Sequence, residues 1–189
     1  VDMRARDDST PALRVGCVFA PKRDEGVAVS NPDAPDVPEP MEIDPPQPPD
    51  DFPAAKLKYN QSVEIRTAIG NMPWDMDWQP GAAHWAGWFR FVNTPRLANG
   101  LLDPLSSVPP CDMLGPALLQ ARGPAAEGKL VISLDLTIQF LADTDSEWLL
   151  QDTRVQHAAN GYALGTVHLW DQQRRLVAFA TQRAMIRPR

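Results

Sequence analysis

One unbroken run carries a row of polar side chains, and it supplies the first candidates for chemistry. In residues 129–140, KLVISLDLTIQF, Ser133, Asp135, Thr137 and Gln139 alternate with Ile132, Leu134, Leu136, Ile138 and Phe140. Side chains on a strand point to opposite faces in turn, so the row shares one face and the apolar set the other. Such a row can serve a reaction, but a polar face is also the default for an antiparallel sheet with one side in water. The other reactive groups are scattered. Cys111 could pair with His84, His157 or His168 as a nucleophile, yet no local signature supports it, and a free cysteine is more often simply buried. Two thiols, Cys17 and Cys111, make no disulfide framework, and no Cys/His cluster has metal-ligand spacing, so neither a metal nor a cofactor is expected.

The elements that must position these groups follow from the same patterns. Residues 13–20, LRVGCVFA, read as a short strand. Residues 21–53 hold half of the 20 prolines and nine acidic residues against Lys22 and Arg23. That composition buries too little apolar surface to offset the entropy of ordering, so 21–57 is expected to be an extended or disordered linker. Residues 62–68 (SVEIRTA) and 84–92 (HWAGWFRFV) alternate as strands. Four of the six tryptophans fall in or just before the second of these. They could line a pocket, although large aromatics more often fill cores.

Residues 93–110 are turn-rich. Then CDMLGPALLQARG places Met113, Ala117, Leu118 and Ala121 on one helical face, with Pro109-Pro110 suited to the entry and Gly123-Pro124 to the stop. Gly115 and Pro116 are awkward there, which predicts a loose first turn or a start only at Pro116. Strands follow at 129–140, 147–156, 161–170 and 176–187. One substantial helix among largely antiparallel strands is an α+β domain, with the helix on one face of the sheet.

A net charge of −6 argues against unspecific nucleic-acid binding. No apolar run reaches the roughly 18 residues of a membrane span. The chain starts without Met, as a fragment or a processed start does, and its first residues carry no signal-peptide core. The ending MIRPR is not a peroxisomal signal of the SKL type. An intracellular, cytoplasmic protein is expected.

Taken in order, LLDPLSSVPPCDMLGPALLQ, LVISLDLTIQF, EWLL and HLWDQQRRLVAFATQRAMIR resemble the C-terminal half of the thioesterase-like superfamily, whose best-known members are type II acyl-CoA thioesterases. The likeness is clear over residues 96–189 and loose over 62–92. It implies a hotdog fold, a curved antiparallel sheet around one main helix, over residues 58–189. It also implies a hydrolytic trio: Asp112 at the helix start, Ser133 on the next strand, where many relatives have Thr, and Gln182 on the last strand. Asp112 would act as general base, with ionisation favoured near a helix N-terminus, and Ser133 and Gln182 would hold the water. Backbone N–H groups from Met113 onward would face the oxyanion. Trp85, Trp88, Met113 and Gly115 are the candidate substrate-binding residues.

The resemblance implies an acyl-CoA or acyl-carrier thioester as substrate. The family is a double hotdog, and here residues 1–20 match only the last strand of a first unit. A homodimer, or pairing with a complementary half, is therefore expected. The alternatives are a non-catalytic hotdog subunit or truncated remnant that binds an acyl ligand or partner chain, and a hotdog enzyme of another acyl or polyketide step.

Overall fold

The computed structural model describes residues 2–4, 11–21, 26, 29, 32–49, 52, 57–75, 77–124 and 129–188. The chain divides into two units, 1–31 and 32–189. The first contains an antiparallel strand pair, β1 (Asp2–Arg4) and β2 (Pro11–Arg14), with Asp2 opposite Arg14. The strand expected at 13–20 is limited to its first residues, and 15–20 are exposed without regular structure.

In the second unit α1 (Lys58–Gln61) leads into β3 (Val63–Ile69) and β4 (His84–Phe91). Two helices follow, α2 (Val108–Cys111) and α3 (Leu114–Arg122), and then β5 (Lys129–Phe140), β6 (Leu149–Ala159), β7 (Tyr162–Trp170) and β8 (Leu176–Pro188). The strands form one antiparallel sheet in the order β3-β4-β6-β7-β8-β5. This is the α+β arrangement expected, with α3 packed on β4, β6 and β7, and α2 on β5 and β7. The β6–β7 hairpin turns on Asn160 and Gly161, both at positive φ, as a tight hairpin requires. Among the described residues no helix is long and apolar enough to cross a membrane.

Strand alternation loads the two faces differently. Towards the helices lie Cys111, Leu149, Val167, Leu169 and Ala180, with Leu136 and Ile138 packed against them. A second cluster continues this layer with Leu114, Leu118, Ala163 and Ala184, joined by Val131, Val155 and Ile186. The far face carries Ala86, Trp88, Trp148, Leu150 and Trp170 at one end.

That far-face cluster is covered by residues 32–49, a stretch within the expected linker. Val37 packs into the tryptophans and Pro40 is buried. Proline offers a carbonyl but no N–H, so a proline-rich segment needs donors from outside. The sheet supplies them. Trp88 Nε1 donates to the Pro38 carbonyl at 2.9 Å. Arg66 donates to the carbonyls of Pro40 and Ile43 at 2.7 and 3.0 Å. Arg174 donates to the Pro35 and Val37 carbonyls at 3.3 and 2.8 Å and to Glu39 at 2.9 Å. Both guanidinium groups also lie over indole rings, Arg66 over Trp148 and Arg174 over Trp88. Residues 34–43 thus form a strap with fixed partners, with one 3-10 turn at Pro40–Glu42, inside a stretch expected to be an extended or disordered linker.

Removing one of these donors frees the strap. In Arg174→Ala, two strap carbonyls and Glu39 lose their partner, and stability is expected to fall by about 2 kcal/mol, as for hydrogen bonds from a charged donor. Urea unfolding measures the loss, and proteolytic cutting within 32–49 reports the release.

Candidate active site

The sequence breaks its helix where chemistry is expected. Pro109 and Pro110 sit in the first turn of α2, which closes when the Asp112 N–H donates to the Pro109 carbonyl at 3.1 Å. A continuous helix would next need the N–H of residue 116 for the Asp112 carbonyl, and Pro116 has none. The backbone therefore departs at Asp112 (φ −97, ψ 46) and Met113 (φ −131, ψ 51) and re-enters at Leu114. The break leaves the Asp112 side chain exposed at the foot of α3.

Ser133 reaches this point through a bulge. Strict alternation would turn it away from the helices together with Asp135. The ladder instead pairs Ser133 with Ala184 and Asp135 with Arg183, leaving Leu134 as an extra residue. Val131 and Ser133 on one side of the bulge, and Leu136 and Ile138 on the other, then all face the helices. β6 is interrupted likewise between Val155 and His157, so that the two bulges flank one cross-sheet row, Asp135–Arg183–Leu164–His157. On the far face the Asp135 carboxylate takes a hydrogen bond from Arg183 Nε at 2.5 Å.

Gln182, opposite Leu136 on β8 and 3% exposed, completes the group. Ser133 Oγ donates to Asp112 Oδ1 at 2.9 Å. Gln182 Nε2 donates to the same Oδ1 and to Ser133 Oγ, the latter at 2.9 Å. The Leu114 N–H donates to Gln182 Oε1 at 3.1 Å. That last bond caps the first turn of α3 and forces the amide to aim its NH2 at Asp112. Gly165, opposite Gln182 on β7, makes room for it: a Cβ there would lie 2.1 Å from Leu114 Cδ1 and 2.8 Å from the Arg154 carbonyl.

Neighbouring groups feel the Asp112 charge. Burial, and then that carboxylate, push the Cys111 thiol up to about 12, so it stays protonated at neutral pH and is no nucleophile. Burial and the Asp112 charge also raise the pKa of Tyr59, a residue of α1 that no sequence pattern links to this site. His84 and His168 lie on the far face. There Asp152 is buried and contacts His84 Nε2 at 2.6 Å. Burial alone would raise the pKa of Asp152, but the His84 hydrogen bond and the Arg154 charge outweigh it and hold the group below its ordinary value.

The structure thus brings Asp112, Ser133 and Gln182 together. Met113, half-buried, is the N-cap of α3, and Gly115 follows in its first turn with open space where a Cβ would stand. The two tryptophans expected at the substrate lie elsewhere. Trp85 and Trp88 are 1% and 0% exposed. Three positions apart on β4, they point to opposite faces. Trp88 is sealed under the strap, and Trp85 packs across Gly87 on the helix side. A groove of about 500 Å³ is lined by Leu134, Asp135, His157, Tyr162, Leu164 and Arg183, on the face away from Asp112.

A sheet curved over a helix in this strand order is the hotdog fold, and the solved structures most like it include thioesterases. A family model described as the acyl-CoA thioesterase C-terminal domain matches residues 34–186. The chain belongs to that family. A candidate thioesterase from Novosphingobium aromaticivorans is 27% identical with a TM-score of 0.66, over 88% of this chain and 58% of its own. A hotdog-fold protein of unknown function from Alicyclobacillus acidocaldarius is 21% identical with a TM-score of 0.61, over 88% and 59%. An acyl-CoA thioesterase II from Mycobacterium marinum is 18% identical with a TM-score of 0.55, over 88% and 60%. This chain therefore spans less than two thirds of the length of these structures. No curated protein sequence matches it.

The close approach at Gly165 can be tested directly. Gly165→Ala must push back Leu114 and the β6 backbone, and such overpacking is expected to cost about 1–3 kcal/mol. Chemical denaturation gives the loss, and loss of protection at the Leu114 amide in hydrogen exchange shows that the cap on Gln182 has opened.

Proposed function

We propose that this chain hydrolyses acyl thioesters, with an acyl-CoA or acyl-carrier thioester as substrate. One observation carries the reading: Ser133 and Gln182, from two strands, both donate to one oxygen of an exposed aspartate at the start of a helix. Both bonds fall on Oδ1, so among the described residues Oδ2 is free to take a proton from water. The water oxygen attacks the thioester carbonyl carbon as its proton passes to Asp112, while Ser133 and Gln182 fix the carboxylate through Oδ1. Collapse of the tetrahedral intermediate breaks the C–S bond. The thiolate leaves with the proton returned by Asp112, and the acid product is released.

The oxyanion needs donors that are not already engaged. The Leu114 N–H is committed to Gln182, and Pro116 has none. Gly115 is left in the first turn of α3, with open space beside it for an acyl carbonyl.

Ser133 lies on β5, which among the described residues is an edge strand paired with β8. Leu134, Phe140 and Leu141 along that edge are 50–53% exposed. We read this edge as the place where a second copy of the chain, or a complementary hotdog half, closes the substrate site, with residues 1–20 as the remnant last strand of a first unit. Without such closure the domain would bind an acyl ligand or a partner without turning it over.

Two variants test the reading. Asp112→Asn is expected to lower kcat on an acyl-CoA panel by about 100-fold or more, as for a lost general base, with an unchanged unfolding midpoint. A wild-type chain that sediments as a dimer yet hydrolyses no chain length would sink the proposal and leave a binding module. Gly115→Ala should separate stability from activity. The methyl meets no atom, so stability holds or rises by up to about 1 kcal/mol. The same methyl crowds the oxyanion, so kcat/KM falls roughly tenfold, about 1.4 kcal/mol of transition-state binding.

A further inference from the structure

Residue pattern and backbone disagree over the first half of β5. The pattern is fully amphipathic without any bulge, and it would bury Ile132 and Leu134. The observed ladder does the reverse: it turns Ser133 to the helices and leaves Leu134 52% exposed. We propose that β5 has two registers, in which Ser133 and Leu134 compete for one place, the position opposite Ala184 and beside Asp112. The functional half of this proposal rests on the thioesterase reading.

The second register follows from the observed one by a single step. Sliding residues 129–134 one position along β8 absorbs the bulge. Leu134 then stands opposite Ala184, Ser133 opposite Met185 and Ile132 opposite Ile186. From Asp135 onward nothing changes, and the Asp135–Arg183 ion pair is kept. Leu130, Ile132 and Leu134 join Leu136 and Ile138 on one face, which satisfies the alternation that the bulge violates. Among the described residues β5 has one strand neighbour, so sliding breaks one ladder, that with β8.

The observed register is held by what the slide would lose. Ser133 would give up its bonds to Asp112 and Gln182, and Val131 its packing against the Leu114–Leu118 cluster. The slid strand sets a leucine side chain where the hydroxyl stood, so Asp112 and Gln182 no longer share a polar site for water. β5 thus carries an on register and an off register, and a strand added along its free edge would select between them.

Paired cysteines read the register without any substrate, so this test stands apart from the thioesterase reading. In a Cys17→Ser background, the Ser133→Cys/Ala184→Cys chain reports the bulged register and the Leu134→Cys/Ala184→Cys chain the straight one. Each substitution weakens the register that it reports, so neither cross-link is favoured by its own design. Both disulfides are expected under mild oxidation, with the free chain in solution. Absence of the 134–184 bond, and of a 133–185 bond in a Ser133→Cys/Met185→Cys chain that keeps Leu134, overturns the proposal, whatever the 133–184 pair does. For function, Leu134→Gln removes the apolar drive to slide. It is expected to raise kcat roughly two- to tenfold at unchanged KM, in proportion to the competent fraction. An unchanged kcat would show that the second register does not limit activity.

Discussion

The Leu114 N–H bound to Gln182 Oε1 joins helix to sheet at the point where both carry the candidate site. A side-chain amide has two ends, and one fixed end determines the other. Because the helix holds the carbonyl, the NH2 has to meet Asp112 and Ser133. The bond satisfies an otherwise orphaned donor in the first turn of α3, so the cap of the helix and the aim of the amide are one interaction. It requires the helix start to press on the sheet, and Gly165 permits that by having no side chain. Replacing any member of this contact would move the others.

The second constraint is backbone phase. Bulges in β5 and β6 flank one row of the sheet, Asp135–Arg183–Leu164–His157, at its two ends. Each inserts a residue, bends its strand and shifts the alternation. In β5 the shift places a hydroxyl among side chains that otherwise build a core. Half-exposure of Leu134 forgoes about 1 kcal/mol of burial. The hydrogen bonds gained by Ser133 each contribute about 0.5–1.5 kcal/mol. These opposing terms are of similar size, so a small bias from packing, ligand or partner is enough to decide the register.

What could be read from sequence follows from how local each signal is. The succession of strands along the chain, the single main helix and its stop at Gly123 were legible because periodicity and a breaker mark them. Asp112, Ser133 and Gln182 were legible only through resemblance, since 49 residues separate the strand partners and no local pattern joins them. Alternation alone put Ser133 on the wrong face, because a bulge leaves no mark in an amphipathic run. The strap was missed for a different reason. Its composition is that of a disordered segment, but its order comes from carbonyl groups that every residue has and from donors over 20 residues away in sequence. Trp85 and Trp88 misled by their size. Their place on β4 buries both, one on each face.

The two faces divide the work of the domain. On the far face the ordering is dense: indole rings, guanidinium groups over them, and a strap whose carbonyls are taken up one by one. On the helix face, near Asp112, the chain tolerates a broken helix and a bulged edge strand, each unfavourable when considered alone. A small domain can carry such a group of concessions only if its folding free energy is supplied elsewhere. The strap and the tryptophans supply it through contacts that do not reach the site, so residues 32–49 are part of the domain's stability although none of them touches the chemistry. That separation also leaves β5 free to trade one register for another without unfolding the sheet that it edges.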